Sequence, residues 1–343
     1  VRNVNIEPLK DIFESTSIIK ILHNAKFDYL FLKKYGIVME NIYDTMLAER
    51  VLYCGNKERR YSLNAVVKSY LNIDLDKSTR QSFTRVSDKK FTQEQIEYGM
   101  ADVKHLFKIK KAQDIDAIEK KVNKTVKLEN QAVLAFADIE YNGLDIDKEK
   151  WENVYQNNLT RSKELFEKLD TMILEDGRME KFVPNYLQTD IFIPMDELRK
   201  LAINWDSPKQ VLDVFKCILP RLENVNSKQL SKYRYRIPLV GKYIEYKETM
   251  KLCTSYGERF YNYLKSDGKV HTNFHQILDT GRVSSNSPNM QQIPADNTFR
   301  NCFTAPKEWK FVSADYNSQE LNVIAFGSKD PVWIKALQEG EDL

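Results

Sequence analysis

No stretch of this sequence approaches the ~18 consecutive apolar residues of a membrane-spanning helix. Its first residues, Val1-Arg-Asn-Val-Asn, have no basic segment leading into an apolar one, so a secretory signal is not expected. The four cysteines, Cys54, Cys217, Cys253 and Cys302, are scattered without a Cys-x-x-Cys pair, which argues against both a zinc site and a disulfide framework. Charge imbalance is also small: 52 Lys and Arg against 49 Asp and Glu leave a net charge of +3, too little for bulk basicity to indicate nucleic acid. Internal repeats and low-complexity tracts are absent as well. These absences lead us to expect a soluble, intracellular, cytoplasmic chain with reduced core cysteines and no membrane association. At 343 residues and 42% apolar content it is long enough for two or three folded domains.

Local signals are stronger. Between Arg221 and Lys251 stand eight Lys or Arg against three Glu, interleaved with Tyr233, Tyr235, Tyr243 and Tyr246. That composition suits a phosphate-tracking surface, and it equally suits a solvated helix face. Helical periodicity is expected within 7–35, from Thr45 to Tyr53 and from Leu63 to Leu71, with the segment through 122 read as helices on a small sheet. A further helix from about 123 should stop at Asn142-Gly143 and give way to an extended Leu-Asp-Ile-Asp. Trp151 to Leu174 reads as a long polar helix with a narrow apolar stripe. From Leu239 through Tyr243, Tyr246, Met250, Cys253, Gly257 and Phe260 to Leu264 the four-three spacing predicts one seam of a pair of long antiparallel helices. Extended segments are expected at Val270–Phe274, Gln291–Pro294 and Lys310–Asp315. Helices should then begin near Gln319 and after Asp330-Pro331, where Asp can cap and Pro can occupy the first turn.

Two constellations carry chemistry. In the first, Asp28 closes Asn24-Ala-Lys-Phe27-Asp28 at a turn into a helix, and Tyr98 and Asp102 lie four residues apart, on one helical face. Phosphodiester hydrolysis by two hard cations about 4 Å apart needs convergent carboxylates, and a phenol can orient the attacking water. In the second, residues 271–294 are dense in amides and hydroxyls suited to phosphates, sugars and minor-groove acceptors. The alternative there, a metal pair from His271 and His275, lacks the Glu of a His-Glu-x-x-His helix. Asp315 ends an expected strand, Lys310-Phe-Val-Ser-Ala-Asp315, a position that can hold Mg²⁺ against a triphosphate or can cap the next helix.

In order along the chain these pieces resemble bacterial Pol I-type (family A) DNA polymerases. Residues 24–28 and 98–102, with Asp44-Thr-Met-Leu-Ala and Tyr61-Ser-Leu-Asn-Ala between them, resemble the second and third motifs of the attached DnaQ-like 3′→5′ proofreading exonuclease. Thr280-Gly281-Arg282, Ser284-Ser285, Pro288-Asn289, Gln291-Gln292 and Ile293-Pro294 resemble the family signature beside the primer–template duplex, and Asp315-Tyr316-Asn-Ser-Gln-Glu320-Leu321 resembles its motif A. Ile139-Glu140-Tyr-Asn-Gly143, Ser207-Pro-Lys-Gln210 and Lys251-Leu-Cys-Thr-Ser-Tyr256 resemble thumb landmarks.

The resemblance implies an α/β (α+β) chain in three parts. These are a partial RNase H-like exonuclease domain over 1–122, thumb helices and the approach to the palm over 123–265, and a partial palm of a right-hand polymerase over 266–343. It implies Asp28 and Asp102 as metal ligands with Tyr98 positioning water, and Asp315 with the Tyr316 carbonyl as the palm metal site. Arg282, Asn289, Gln291, Gln292, Lys251 and Arg300 would contact DNA. Tyr316 and Glu320 would border the nucleotide, Glu320 limiting space for a ribose 2′-hydroxyl. Mg²⁺, with Mn²⁺ as substitute, primer–template DNA and dNTPs would be the cofactors and substrates, and a complementing polymerase subunit or processivity factor a further partner.

The sequence departs from the family at Asn317, Ser318, Gln319 and Asn322, and at Gln292, where the family has Asn. The first exonuclease motif, Asp-x-Glu, is missing from residues 1–23, which hold only Glu7, Asp11 and Glu14, and no fingers helix or His-Asp-Glu turn follows motif A. We therefore expect a chain truncated at both ends, with a nearly inactive exonuclease site and no polymerisation on its own. A non-catalytic duplex-binding module and a stand-alone exonuclease are the competing readings, and residues 270–321 have no place in the latter. The many Lys, Asn and Ile residues suggest an AT-rich source such as a phage.

Overall fold

The computed structural model describes residues 5–75, 91–183, 201 and 203–341. The chain divides into two compact units, 1–303 and 304–343. The first opens with α1 (Lys10–Glu14), β1 (Lys20–Leu22), α2 (Ala25–Lys33), β2 (Ile42–Asp44), α3 (Thr45–Leu52), α4 (Leu63–Leu71), α5 (Gln93–Lys104), α6 (Leu106–Glu119) and α7 (Asn123–Asn142). Strands β1 and β2 pair in parallel, Ile21 opposite Tyr43, giving the expected small sheet. Around it pack Ala25, Tyr29, Ile42 and Leu47, joined by Val133 and Ala137 of α7. The helix that follows residue 122 thus shares its core with the segment that precedes it.

Asp44 organises this region. Its side chain, 1% exposed, accepts from the N–H groups of Met46 (2.8 Å) and Leu47 (3.4 Å) at the start of α3. It also accepts from Asn24 (3.0 Å) and Ala25 (2.7 Å) at the start of α2. One carboxylate therefore satisfies orphan donors of two helix N-termini, where a negative charge is also favoured. Two lost caps set the scale of the expected loss: Asp44→Ala should destabilise the protein by about 2–4 kcal/mol. A urea midpoint within error of the unaltered protein would remove this role.

The helix α7 ends where the sequence predicts. Gly143 takes φ +61°, and a Cβ there would lie 2.8 Å from the His271 ring, so both the turn and the packing require glycine. Next come β3 (Leu144–Ile146), α8 (Lys148–Glu175), α9 (Pro208–Lys216), α10 (Ser227–Leu230), α11 (Pro238–Tyr256), β4 (Lys269–Val270), β5 (Asn273–His275), β6 (Ser284–Asn286) and α12 (Asn297–Arg300). Helices α8 and α11 run antiparallel, as the pairs Trp151 with Tyr256, Arg161 with Glu245 and Phe166 with Tyr246 show. Their seam is shorter than the spacing predicts. Helix α11 ends at Tyr256 and a 3₁₀ turn, Glu258–Tyr263, follows; at Gly257 between them a Cβ would stand 2.3 Å from the Cys253 carbonyl oxygen and 2.7 Å from the Tyr155 ring, so the position admits only glycine.

The base of the pair is an aromatic core. Trp151, fully buried, stacks on Phe260 at 4.2 Å between ring centroids, meets Phe299 and Phe303 edge-on, and donates its indole N–H to the Tyr256 carbonyl at 2.9 Å. Further out, Trp205, Val214, Phe215 and Tyr243 fill a second core between α8, α9 and α11.

The second unit holds, among its described residues, α13 (Gln319–Ser328) and α14 (Pro331–Glu339). Asp330 caps α14 through the N–H groups of Val332 (2.9 Å) and Trp333 (3.1 Å), with Pro331 in the first turn, as expected. The strand expected over Lys310–Asp315 is not formed: these residues are irregular and exposed. An extended segment becomes a strand only where a neighbour takes up its backbone groups. Likewise Met290–Gln292 forms a 3₁₀ turn, not the start of an extended run. No described helix is long and apolar enough to cross a membrane.

Candidate nucleic-acid interface

Residues 273–286 form an antiparallel hairpin, with Asn273 opposite Asn286 and His275 opposite Ser284. Its tip is a tight turn in which Leu278 N–H donates to the Arg282 carbonyl (2.9 Å) and Gly281 N–H to the Leu278 carbonyl (2.8 Å). Gly281 supplies the positive φ, +77°. Residues 278–282 are exposed, Arg282 among them.

The hairpin is held from below. Glu140, 5% exposed, lies on the buried stripe of α7, and its Oε1 accepts from Lys26 Nζ of α2 at 2.5 Å and from the Phe274 N–H of β5. Lys26 also donates to the Phe274 carbonyl at 2.6 Å. Gln276 Nε2 donates to Glu129 Oε2 at 2.6 Å and to the Glu129 carbonyl at 2.8 Å, and Ile277 enters the core around Ala25 and Tyr29. Phe274 packs on Phe136 with 5.4 Å between centroids. A short exposed hairpin gains its geometry from such a seat, since two strands alone are marginal.

Other sequence-selected residues around the hairpin are partly engaged. Asn289 Oδ1 meets the Ser285 hydroxyl at 3.1 Å and accepts from the Gln291 N–H at 3.1 Å. Gln291 Nε2 donates to the Val283 carbonyl at 3.3 Å, and Arg300 Nε to the Pro294 carbonyl at 3.1 Å. Gln292 is exposed, and its carbonyl accepts from the Tyr256 hydroxyl. The His271–His275 metal-pair alternative does not hold. His271 Nδ1 lies 2.7 Å from the Glu140 carbonyl and Nε2 2.9 Å from Asp267 Oδ2, while His275 Nε2 lies 2.6 Å from the Asn286 amide.

In the Arg221–Lys251 run three of the eight cations are held in ion pairs, while Arg221, Lys228, Lys232, Arg236 and Lys251 are exposed. Arg234 pairs with Glu248 (2.8 Å), Lys242 with Glu245 (2.6 Å) and Lys247 with Asp206 (2.9 Å). Tyr243 and Tyr246 are buried in the core beside α8. Lys251 and Tyr235 remain exposed.

Asp28 stands in the first turn of α2, and Tyr98 and Asp102 one turn apart on α5. Asp28 is exposed as a residue, but desolvation of its carboxyl against neighbouring groups, with the Asp44 carboxylate nearby, pushes it up to about 6. The folded protein therefore takes up a proton at Asp28 well above the unfolded value near 4, so this group adds stability as pH falls from about 6 to about 4 and loses it on the way back up. In urea titrations at pH 4.5 and 7, Asp28→Asn should lack that increment; an unchanged pH difference would contradict it. Asp315 and Tyr316 lie exposed before α13, whose N-cap is Ser318, so Asp315 is not the cap of that helix. Glu320 is in its first turn. Among the described residues no three His, Cys, Asp or Glu side chains converge into a metal-holding group. The residues present thus do not by themselves fit a two-cation site, and no step through a metal follows from them.

Sequence reasoning missed Lys26 and the buried carboxylate of Glu140 as structural determinants. The signal was available: Val126, Asn130, Val133, Ala137 and Glu140 form the buried stripe of α7, and a charge on an apolar stripe demands a buried partner.

Residues 188–343 match the family described as DNA polymerase family A, and residues 1–114 match a 3′-5′ exonuclease family. DNA polymerase I of Aquifex aeolicus is 29% identical over 367 aligned positions that cover 99% of this chain and 57% of that protein. The Synechocystis enzyme of the same name is 27% identical, with 94% of this chain and 32% of that protein covered. DNA polymerase I of Streptococcus pneumoniae TIGR4 reaches 40% identity over 114 residues, 31% of this chain and 13% of its own. The chain therefore spans between about a third and just over half the length of the relatives it matches end to end. Among solved structures, the POL domain of Pol1 from M. smegmatis, in complex with DNA primer–template and dNTP, superposes with a TM-score of 0.72 at 20% identity, over all of this chain and 56% of that one; this shows a shared fold. Residues 188–343 belong to DNA polymerase family A and residues 1–114 to a 3′-5′ exonuclease family.

Proposed function

We propose that this protein serves template-directed DNA synthesis with 3′→5′ proofreading, in the cytoplasmic compartment where a genome is copied, and that the chain's own part is to grip primer–template duplex. The carrying observation is the exposed hairpin tip with Arg282, fixed to the exonuclease segment by the Lys26–Glu140 pair. A guanidinium carried on a fixed backbone turn can donate to phosphates or groove acceptors with only its own side chain left to order. Asn289, Gln291, Gln292, Lys251 and Arg300 complete the DNA-facing set, with Tyr316 and Glu320 at the nucleotide and Asp28, Asp102, Tyr98 and Asp315 as the chemical groups. Nucleotidyl transfer from dNTPs needs cation ligands beyond Asp315; a complementing polymerase subunit and a processivity factor are candidate partners. Mg²⁺, or Mn²⁺ in its place, is the cation of such a completed centre.

Arg282→Ala should weaken binding of a labelled primer–template by roughly tenfold at moderate salt, equivalent to about 1.4 kcal/mol. Unchanged affinity would count against the tip as a contact. A second reading is a duplex-binding chain without chemistry of its own. Primer extension in Mg²⁺ and all four dNTPs separates the two: product from the chain alone excludes the second reading.

A further inference from the structure

The seat of the hairpin brings its tip against a loop of the exonuclease segment. Cys54 Sγ lies 3.5 Å from the Leu278 carbonyl oxygen and 3.6 Å from that of Asp279. A Cβ on Gly55, whose φ is +80°, would come to 3.5 Å from the Asp279 oxygen. Arg50 Nη1 reaches the Ile277 carbonyl at 3.4 Å, while its guanidinium covers the Tyr61 ring at 4.5 Å. Loop 54–60 and turn 278–282 thus form one continuous exposed surface on two segments far apart in sequence.

The charges on that loop are unequally used. Arg59 turns inward, its Nε 2.6 Å from the fully buried Glu49, and stacks over the Tyr53 ring at 4.0 Å. That pairing anchors the loop and fixes its course. Its neighbours Lys57 and Arg60 are exposed, and neither makes an ion pair or side-chain hydrogen bond among the described residues. With Arg50 and Arg282 they give the surface four cations, against the carboxylates of Glu58 and Asp279. Unpaired cations on a loop anchored by the inward-turned Arg59 suit a polyanion with regularly spaced charges better than a single acidic side chain.

We infer that the duplex-binding surface centred on Arg282 extends onto the exonuclease segment, where Lys57 and Arg60 take backbone phosphates of the same DNA. This rests on the duplex-gripping role proposed above. It makes the exonuclease segment part of the grip on paired DNA through residues that belong to neither the Asp28 nor the Asp102 motif. Since phosphate contacts position without reading sequence, the contribution should be the same for every duplex sequence.

The test is the salt dependence of primer–template binding, by fluorescence anisotropy between about 50 and 300 mM salt. Each phosphate contact contributes roughly 0.9 to the slope of log affinity against log salt. Lys57→Ala and Arg60→Ala should each make the slope shallower by about one unit, and the pair by about two. The charge reversal Lys57→Glu should weaken binding further. Lys108→Ala, an exposed cation on α6, should leave the slope in place. A slope unchanged in the loop variants while the unaltered chain binds overturns the inference and leaves the duplex-gripping role standing. An equal change in Lys108→Ala also overturns it, because the effect would then belong to overall charge. Failure of the unaltered chain to bind duplex overturns the role and the inference together.

Discussion

Glu140→Ala is expected to destabilise the protein by about 3–5 kcal/mol, the scale for breaking a buried ion pair from one side. The carboxylate is 5% exposed and serves three elements at once: α7, which carries it; α2, through Lys26 at 2.5 Å; and β5, through the Phe274 N–H. Its loss leaves the Lys26 ammonium with the Phe274 carbonyl alone and the Phe274 N–H without its acceptor. The hairpin should then lose its fixed place on the exonuclease segment, so duplex binding should weaken even at temperatures where the variant is folded. Lys26→Met should cost a similar amount from the other side. The double variant Lys26→Met/Glu140→Leu should recover part of the stability, because an apolar pair carries no desolvation cost. It should not recover binding fully, since nothing then ties Phe274 down. Urea unfolding and anisotropy on the three variants check this, and independent, additive losses in the double variant would refute a coupled junction.

Trp151→Ala should cost about 3–5 kcal/mol as well. The indole is fully buried, stacks on Phe260, meets Tyr256, Phe299 and Phe303 edge-on, and donates to the Tyr256 carbonyl. Removing it opens a cavity at the foot of the α8–α11 pair and orphans that carbonyl. Trp151→Phe keeps much of the volume but loses the N–H, so it should recover most of the loss, leaving about 1 kcal/mol for the hydrogen bond. Near-equal thermal midpoints for Trp151→Ala and the unaltered protein would show that this core is not what joins the two helices to the strands after residue 269.

Both junctions explain what could be read from the sequence and what could not. Periodicity alone placed α4 over Leu63–Leu71 and the end of α7 at Asn142, because apolar spacing and Gly143 are local signals. The capped start of α14 at Asp330-Pro331 was legible for the same reason. Gly257 was read into the seam by its spacing, yet the helix ends before it at Tyr256, and the crowding of position 257 by the Cys253 carbonyl and Tyr155 is a fact of tertiary packing that spacing does not encode. The strand expected over Lys310–Asp315 required a neighbour, which a pattern of side chains cannot supply.

The candidate site divides in the same way. The order of short motifs pointed to family A, and the family match over 188–343 agrees. The seat of the hairpin was hidden because its members, Lys26, Glu140 and Phe274, are separated by more than a hundred residues along the chain. Tyr243 and Tyr246 were read both as part of the basic run and as part of the apolar seam; they lie in the seam, on the face that α11 turns to α8 and α9, and the charges beside them are paired within the protein. Charge counts along a sequence do not distinguish such internal pairing from an open surface.

The central claim is that this chain grips primer–template DNA through a hairpin tip held rigidly on the exonuclease segment. Its most direct test is the equilibrium affinity of the unaltered chain and of Arg282→Ala for one labelled primer–template at about 100 mM salt. The account predicts saturable binding by the unaltered chain, weakened roughly tenfold in the variant. No binding by the unaltered chain, or equal binding by the two, would contradict it.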